Sequence, residues 1–198
     1  MNEALLTRER ILEAAEDVLR RFGPAKATVV DVARALGVSH GSVYRHFPSK
    51  AALRDAVSKL WLTRVSDPLA AVAAGDGPAP ERLRRWLDLL IATKRAKALD
   101  DPELFATYMV LAGDAREVVT EHVQTLVGQI AAILRAGVER GEFSGIDPDT
   151  IARAVFDATS RFHKPTYAGE WAEPGIDAAF EAVWALILNG LGVKKAKG

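Results

Sequence analysis

The sequence predicts an all-α fold: a small N-terminal group of three helices that contains a helix-turn-helix, then a larger C-terminal helical part. Three observations carry this reading. Apolar residues recur at i, i+3, i+4 and i+7 along most of the chain, the spacing of one helix face. No stretch reads convincingly as a strand, and there is no internal repeat or low-complexity tract. Capping residues and Gly or Pro fall at the ends of the periodic segments.

Taken in order, "TRERILEAAEDVLRRFG" places Ile11, Ala14, Ala15, Val18 and Phe22 on one stripe, with Thr7 as N-cap and Gly23-Pro24 as the stop. A short second helix starts after Thr28 and ends at Gly37. A third follows Ser39. Ser49 then caps a longer helix whose Leu53, Val57, Leu60, Trp61 and Arg64 share a face, the arginine head group lying in water. The small-residue, Gly- and Pro-rich stretch "AAGDGPAP", residues 73–80, is the clearest boundary. Beyond it come "ERLRRWLDLLIATKRAKAL", the shorter "PELFATYMVLAG" and the long "DAREVVTEHVQTLVGQIAAILRAGVERGEF". The last two helices, over 148–163 and 175–191, are the most regular.

Composition excludes several classes. The 198 residues are 49% hydrophobic and 26% charged, ordinary for a globular protein able to bury a sizeable core. There is no cysteine, hence no disulfide, thiolate nucleophile or cysteine–zinc site. The N-terminus mixes acids and arginines into its apolar positions, unlike a signal peptide, and no apolar run approaches the ~20 residues of a membrane span. A cytoplasmic protein is expected. Formal net charge is zero but unevenly spread. Residues 1–60 hold ten Lys/Arg against seven Asp/Glu, or +3; residues 61–193 hold thirteen against nineteen, or −6; the tail "KKAKG" adds +3. That asymmetry points the N-terminal part at a polyanion.

Residues 28–47 have helix-turn-helix spacing. Ala33 is small where two helices cross, Gly37 suits a left-handed turn, and Val32, Leu36, Val38 and Val43 lock the pair. With residues 40–47 on a helix, Val43 and Phe47 face the core. Gly41, Ser42 and Arg45 face away with His46 at their edge, and His40 and Tyr44 flank the buried side. Tyr44 and Lys50 can donate to phosphate oxygens, as can the amide ends of the helices beginning near Thr28 and Ser39.

"TVVDVARALGVSHGSVYRHFPSKAAL" resembles the DNA-binding signature of the TetR (tetracycline-repressor) family of bacterial transcriptional regulators. The signature residues are Ala33, Gly37, Tyr44, Phe47, Lys50 and Leu53. The resemblance covers roughly residues 7–60; the rest is similar only in length and in being helical. It implies phosphate contacts from Tyr44, Lys50 and the helix start at Thr28, and base contacts from His40, Gly41, Ser42 and Arg45, with His46 able to do either. It also implies that residues 1–60 form a helix-turn-helix DNA-binding domain and 61–198 a helical effector-binding and dimerisation domain. The expected partners are a double-stranded DNA operator, a second copy of the chain and a largely apolar small molecule, with no membrane and no cofactor.

The final helices support dimerisation on their own account. Broad apolar faces interleaved with alanines allow close approach, and two helices from each subunit make an isologous four-helix interface. Ile151, Val155, Ala158, Phe180, Val183 and Ile187 are its candidate residues. Candidate effector contacts are Trp86, Leu90, Phe105, Tyr108, Met109, His122, Phe156 and Phe162, a largely apolar set with few polar groups; aromatic residues at helical spacing are also the ordinary stuff of cores. His122 and His163 read as satisfied or solvent-facing side chains, so no metal is expected. The acid pairs Asp100-Asp101 and Asp147/Asp149 adjoin prolines at helix starts and suit capping, and no nucleophile motif or phosphate loop appears. The chain is therefore read as a regulator and not an enzyme, most simply a repressor released by a small molecule. The alternative is a non-regulatory, nucleoid-associated or division-control DNA binder of the same fold that acts through a protein partner.

Overall fold

The computed structural model describes residues 6–192; the first five residues of the opening stretch and the lysine tail lie outside them. Every regular element among the described residues is helical, and no helix there is long and apolar enough to cross a membrane. By contact, the chain forms two compact units. Among the described residues, one holds residues 6–63 together with Asp101–Glu121; the other holds Arg64–Asp100 and residues 122–192.

The first unit begins with α1 (Arg8–Lys26), whose first turn is capped by the Thr7 hydroxyl accepting from the Arg10 amide at 3.3 Å. Ile11, Ala15, Val18 and Leu19 bury along one stripe. Phe22, expected on the same stripe, is instead 43% exposed. Regular helix stops just after it, where Gly23 turns to φ 71°, ψ 164°, and Leu19 takes the buried place one turn earlier. α2 (Val29–Leu36) ends on Gly37, whose φ of 69° is left-handed backbone that glycine adopts without a Cβ clash. α3 (His40–Tyr44) follows at once, and α4 (Lys50–Ala74) leaves the unit. α6 (Pro102–Asp114) returns from forty residues further on to complete the core. Tyr108 on α6 stacks on Trp61 at 4.4 Å between ring centroids, and its hydroxyl donates to the buried Glu16 carboxylate at 2.5 Å. Exposed ion pairs tie α4 to Asp114 at the end of α6 through Arg54 and to Glu121 beyond it through Lys59; such pairs add little stability.

The second unit is built on α5 (Ala79–Asp100), α7 (Arg116–Glu139), α8 (Pro148–Ala158), the short α9 (Ser160–His163), a 3-10 turn at Pro165–Glu170 and α10 (Ile176–Gly190). Leu69, Leu83, Trp86, Leu87, Leu90, Ile130 and Phe162 form its centre. The Trp86 indole donates to Gln129 at 2.9 Å, and the Gln129 amide donates to the Ser66 carbonyl at 3.1 Å. Arg82, 4% exposed, donates to the carbonyls of Ala73 and Gly75 and so closes the C-terminal end of α4. The continuous helix expected over 148–163 breaks at Thr159, whose hydroxyl donates back to the Val155 carbonyl at 2.9 Å.

Candidate DNA-binding surface and the C-terminal core

α3 is held from both ends. At its start Ser39 accepts from the Ser42 amide at 3.2 Å and shares a 2.9 Å hydrogen bond with the Ser42 hydroxyl. Helix-like backbone bonds run past Tyr44, with the Phe47 amide donating to the Val43 carbonyl at 3.0 Å. The registration expected for residues 40–47 is therefore kept. Val43 is fully buried and Phe47 is 2% exposed, while His40, Gly41, Tyr44, Arg45 and Lys50 are exposed and Ser42 and His46 half-buried. Arg45 leans back to donate to the Ser42 hydroxyl at 3.2 Å, and the His40 and Tyr44 rings meet edge-on. From Val32 to Arg54 the chain carries Arg34, Arg45, Lys50 and Arg54 and no acid. Arg34 pairs with Asp31 at 3.0 Å and Arg54 with Asp114, so Arg45 and Lys50 give the recognition segment its cationic character, on a hydrogen-bonding and rigidly backed surface.

Two details add to the sequence reading. Arg8 donates to the His46 carbonyl at 2.6 Å and stacks its guanidinium over Phe47 at 4.2 Å, pinning the end of the recognition segment to α1. Its hydrogen-bond partner is a backbone carbonyl, which leaves no mark in side-chain pattern. Thr28 forms a capping box: its hydroxyl donates to Asp31 at 2.6 Å, and the Asp31 carboxylate also accepts from the Thr28 amide. Those hydrogen bonds hold the Asp31 carboxyl below its ordinary range. The start of α2 thus already carries a carboxylate, which reduces what it offers a phosphate.

The candidate effector residues fall in both units. Phe105, Tyr108 and Met109 belong to α6 in the first, where Tyr108 is engaged with Glu16 and Trp61. Trp86, Leu90, Phe156 and Phe162 are buried in the core of the second, which also carries His122 on α7. That core holds bases no apolar pattern announces. Lys94 on α5 is 5% exposed, and burial, then the neighbouring Lys97, pushes its ammonium down to about 8. Burial and Lys94 push His122 down to about 3. His163, 3% exposed, is pushed down to about 4, mainly by burial. Its Nε2 lies 3.2 Å from the Phe156 carbonyl, so that nitrogen carries the proton and donates. His163 is thus satisfied; His122 is half-buried, and its Nε2 is buried without a hydrogen-bond partner among the described residues. Of the interface candidates, Val155 and Phe180 are buried in their own unit, Ile151, Val183 and Ile187 are half-buried, and Ala158 is exposed.

The family model described as "Tetracyclin repressor-like, C-terminal domain" matches residues 79–184, and that of "Bacterial regulatory proteins, tetR family" matches residues 11–57. The chain belongs to the TetR family of bacterial transcriptional regulators. As in its TetR relatives, the helix-turn-helix is the DNA-binding element, and the protein is a regulator, not an enzyme. It is 25% identical over 191 residues to YvdT of Bacillus subtilis, an uncharacterised HTH-type transcriptional regulator, spanning 93% of this chain and 94% of the relative. A TetR-family regulator from Mesorhizobium loti shares the fold at a TM-score of 0.71 and 18% identity, covering 92% of this chain and 95% of its own. FadR of Bacillus subtilis, solved in complex with stearoyl-CoA, does so at 0.65 and 19%, covering 93% and 99%.

Proposed function

We propose that this TetR-family regulator is a homodimeric repressor that binds a palindromic operator and is released by a largely apolar small molecule. The observation that carries the reading is the recognition segment: an acid-free, cationic surface whose Val43 and Phe47 are locked inward while Arg45, Tyr44 and Lys50 remain exposed. Dimerisation is supported by α10, where Ala178, Ala182, Ala185 and Leu186 form an exposed apolar stripe, Leu186 being 70% exposed. α8 adds the exposed Ala154 and Ala158. Trp86, Leu90, His122, Phe156 and Phe162 are the effector contacts this reading assigns to the C-terminal unit. Two recognition helices read successive major grooves only at ~34–36 Å separation or a multiple of it. An effector that favours another separation, with a coupling of ~1–3 kcal/mol, weakens operator binding ~5–150-fold.

The experiment is footprinting beside the protein's own gene, followed by an operator-mutant panel at several salt concentrations. Arg45→Ala should lose discrimination at one symmetric pair of positions, ~1–3 kcal/mol per base pair, because an arginine there donates two hydrogen bonds to guanine. Lys50→Ala should keep the ranking of sites and flatten the log–log salt slope by ~1.8 for a symmetric dimer. If Arg45→Ala preserves the whole ranking, Arg45 is a backbone contact and His40, Ser42 or His46 reads the bases. Binding at dispersed sites with no palindrome and no response to any small molecule would favour the non-regulatory DNA binder instead.

A further inference from the structure

Acids favour the first turn of a helix, where the backbone dipole is positive, and Glu9 in α1 follows that rule. Arg8, one residue earlier, breaks it. Its guanidinium reaches across to the His46 carbonyl, 38 residues further along the chain, at 2.6 Å, and lies 4.2 Å over the Phe47 ring. The His46 carbonyl needs such a donor. The helix-like bonds that run past Tyr44 end with the Phe47 amide. Pro48 comes next; it has no N–H to offer and disfavours helical backbone at Phe47. The last carbonyls of a helical run lack partners within it, and a cation suits them as well as it ill suits a helix start. Arg8 therefore stands where its own helix gains least from a cation and serves the far end of another.

That end matters because α3 is only five residues long, too short to hold its own shape. Val43 and Phe47 fasten it from below, and the Ser39 hydroxyl caps its start. The bond from Arg8 fixes the opposite end, at the peptide directly after Arg45 and His46. We propose that Arg8 is a positioning residue for sequence reading: it touches no base, and it holds the end of the recognition segment so that the exposed side chains there meet the bases in one orientation. The inference rests on DNA binding by the helix-turn-helix and not on the repressor or effector reading above.

The test starts from a duplex that wild type selects out of a random-sequence pool. Its binding is compared with that of an unselected duplex of the same length, at several salt concentrations, for wild type, Arg8→Met and Arg8→Lys. Methionine keeps a long stem against Phe47 without the charge or the donor, whereas lysine keeps both. In Arg8→Met, affinity for the selected duplex should fall ~5-fold or more, the least that one bidentate base contact is worth. Affinity for the unselected duplex and the log–log salt slope should stay at their wild-type values, and Arg8→Lys should recover most of the loss. In the free protein, the His46 and Phe47 amides should exchange with deuterium faster in Arg8→Met, while those of Val18 and Leu19 in α1 exchange as in wild type. Equal weakening on both duplexes, with a slope flattened by ~0.9 per protomer, would make Arg8 a phosphate contact and overturn the proposal. Undiminished selectivity in Arg8→Met would overturn it too. Loss of the fold, or faster exchange throughout α1, would show that Arg8 holds the whole unit together and not the segment, which also overturns it. A wild type that enriches no sequence removes the operator reading along with the proposal; the other adverse outcomes leave that reading intact.

Discussion

Acid should unfold this protein through His163 more than through an average histidine, and the size of the effect follows from its surroundings. The imidazole is 3% exposed, lies 4.7 Å from the Phe156 ring and hydrogen-bonds as the neutral form. Burial, the largest cause, pushes it down from 6.5 to about 4. A base whose folded value is depressed binds more protons when unfolded, so stability falls as pH drops from 6.5 toward 4 and is unaffected above 6.5. Near pH 5 the unfolded ring is almost fully protonated and the folded one almost fully neutral. The penalty relative to about pH 7.5 is then ~2 kcal/mol, on the scale of 1.36 kcal/mol per pH unit. His122 acts in the same direction. The perturbation is His163→Gln, which keeps a hydrogen-bonding side chain and removes the titration. Urea unfolding at fixed protein concentration, at about pH 7.5 and pH 5, should show wild type losing ~2 kcal/mol more than the variant. The absolute stability of the variant is irrelevant; the difference between the two pH dependences is the readout. Parallel losses in the two proteins, or an imidazole resonance of His163 titrating above pH 6, would refute the reasoning.

A Cβ placed on Gly137 would overlap the Phe143 ring and lie 2.8 Å from the Ala79 methyl; Gly137→Ala should therefore cost ~1–3 kcal/mol by overpacking, read as a lower urea midpoint at unchanged slope. Tyr108→Phe keeps the stack on Trp61 but takes a hydroxyl donor from the buried Glu16 carboxylate. It should cost ~1–3 kcal/mol, and much less in a Glu16→Leu background. In the proposed homodimer Leu186→Glu places a charge twice in the two-fold interface, so sedimentation should shift toward monomer while helical circular dichroism holds; a folded, undiminished dimer would remove α10 from that interface.

The N-terminal helices were legible because their determinants are local. Gly37 announces a left-handed turn, and Val43 and Phe47 are the only two clearly apolar side chains in a polar segment, four residues apart and hence on one face. Phe22 misled although the stop at Gly23 is legible: periodicity carries the stripe to the last residue before the stop and does not show that Leu19, one turn earlier, fills the buried place. The break at Thr159 escaped because a threonine is compatible with either outcome until its hydroxyl's carbonyl partner is known. Lys94 escaped in "ATKRAKAL", where three cations in four positions look like a solvated face and only tertiary packing selects which one is buried. Long-range pairs such as Glu16 with Tyr108 leave no trace in a single sequence.

The return of α6 to the N-terminal core makes the helix-turn-helix something other than a detachable module. A fragment cut before Pro102 would expose the faces of Ala15, Leu19 and Trp61 that share a core with Tyr108 and Leu111. On the ribosome, that core must wait until roughly the first 120 residues have emerged, since its last contributing stretch is Asp101–Glu121. Exchanging DNA specificity with a relative by splicing at the loop after Ala74 would join one protein's recognition helices to another's Tyr108 and Leu111. A working chimera has to carry α6 along, or confine the exchange to the exposed residues of α3.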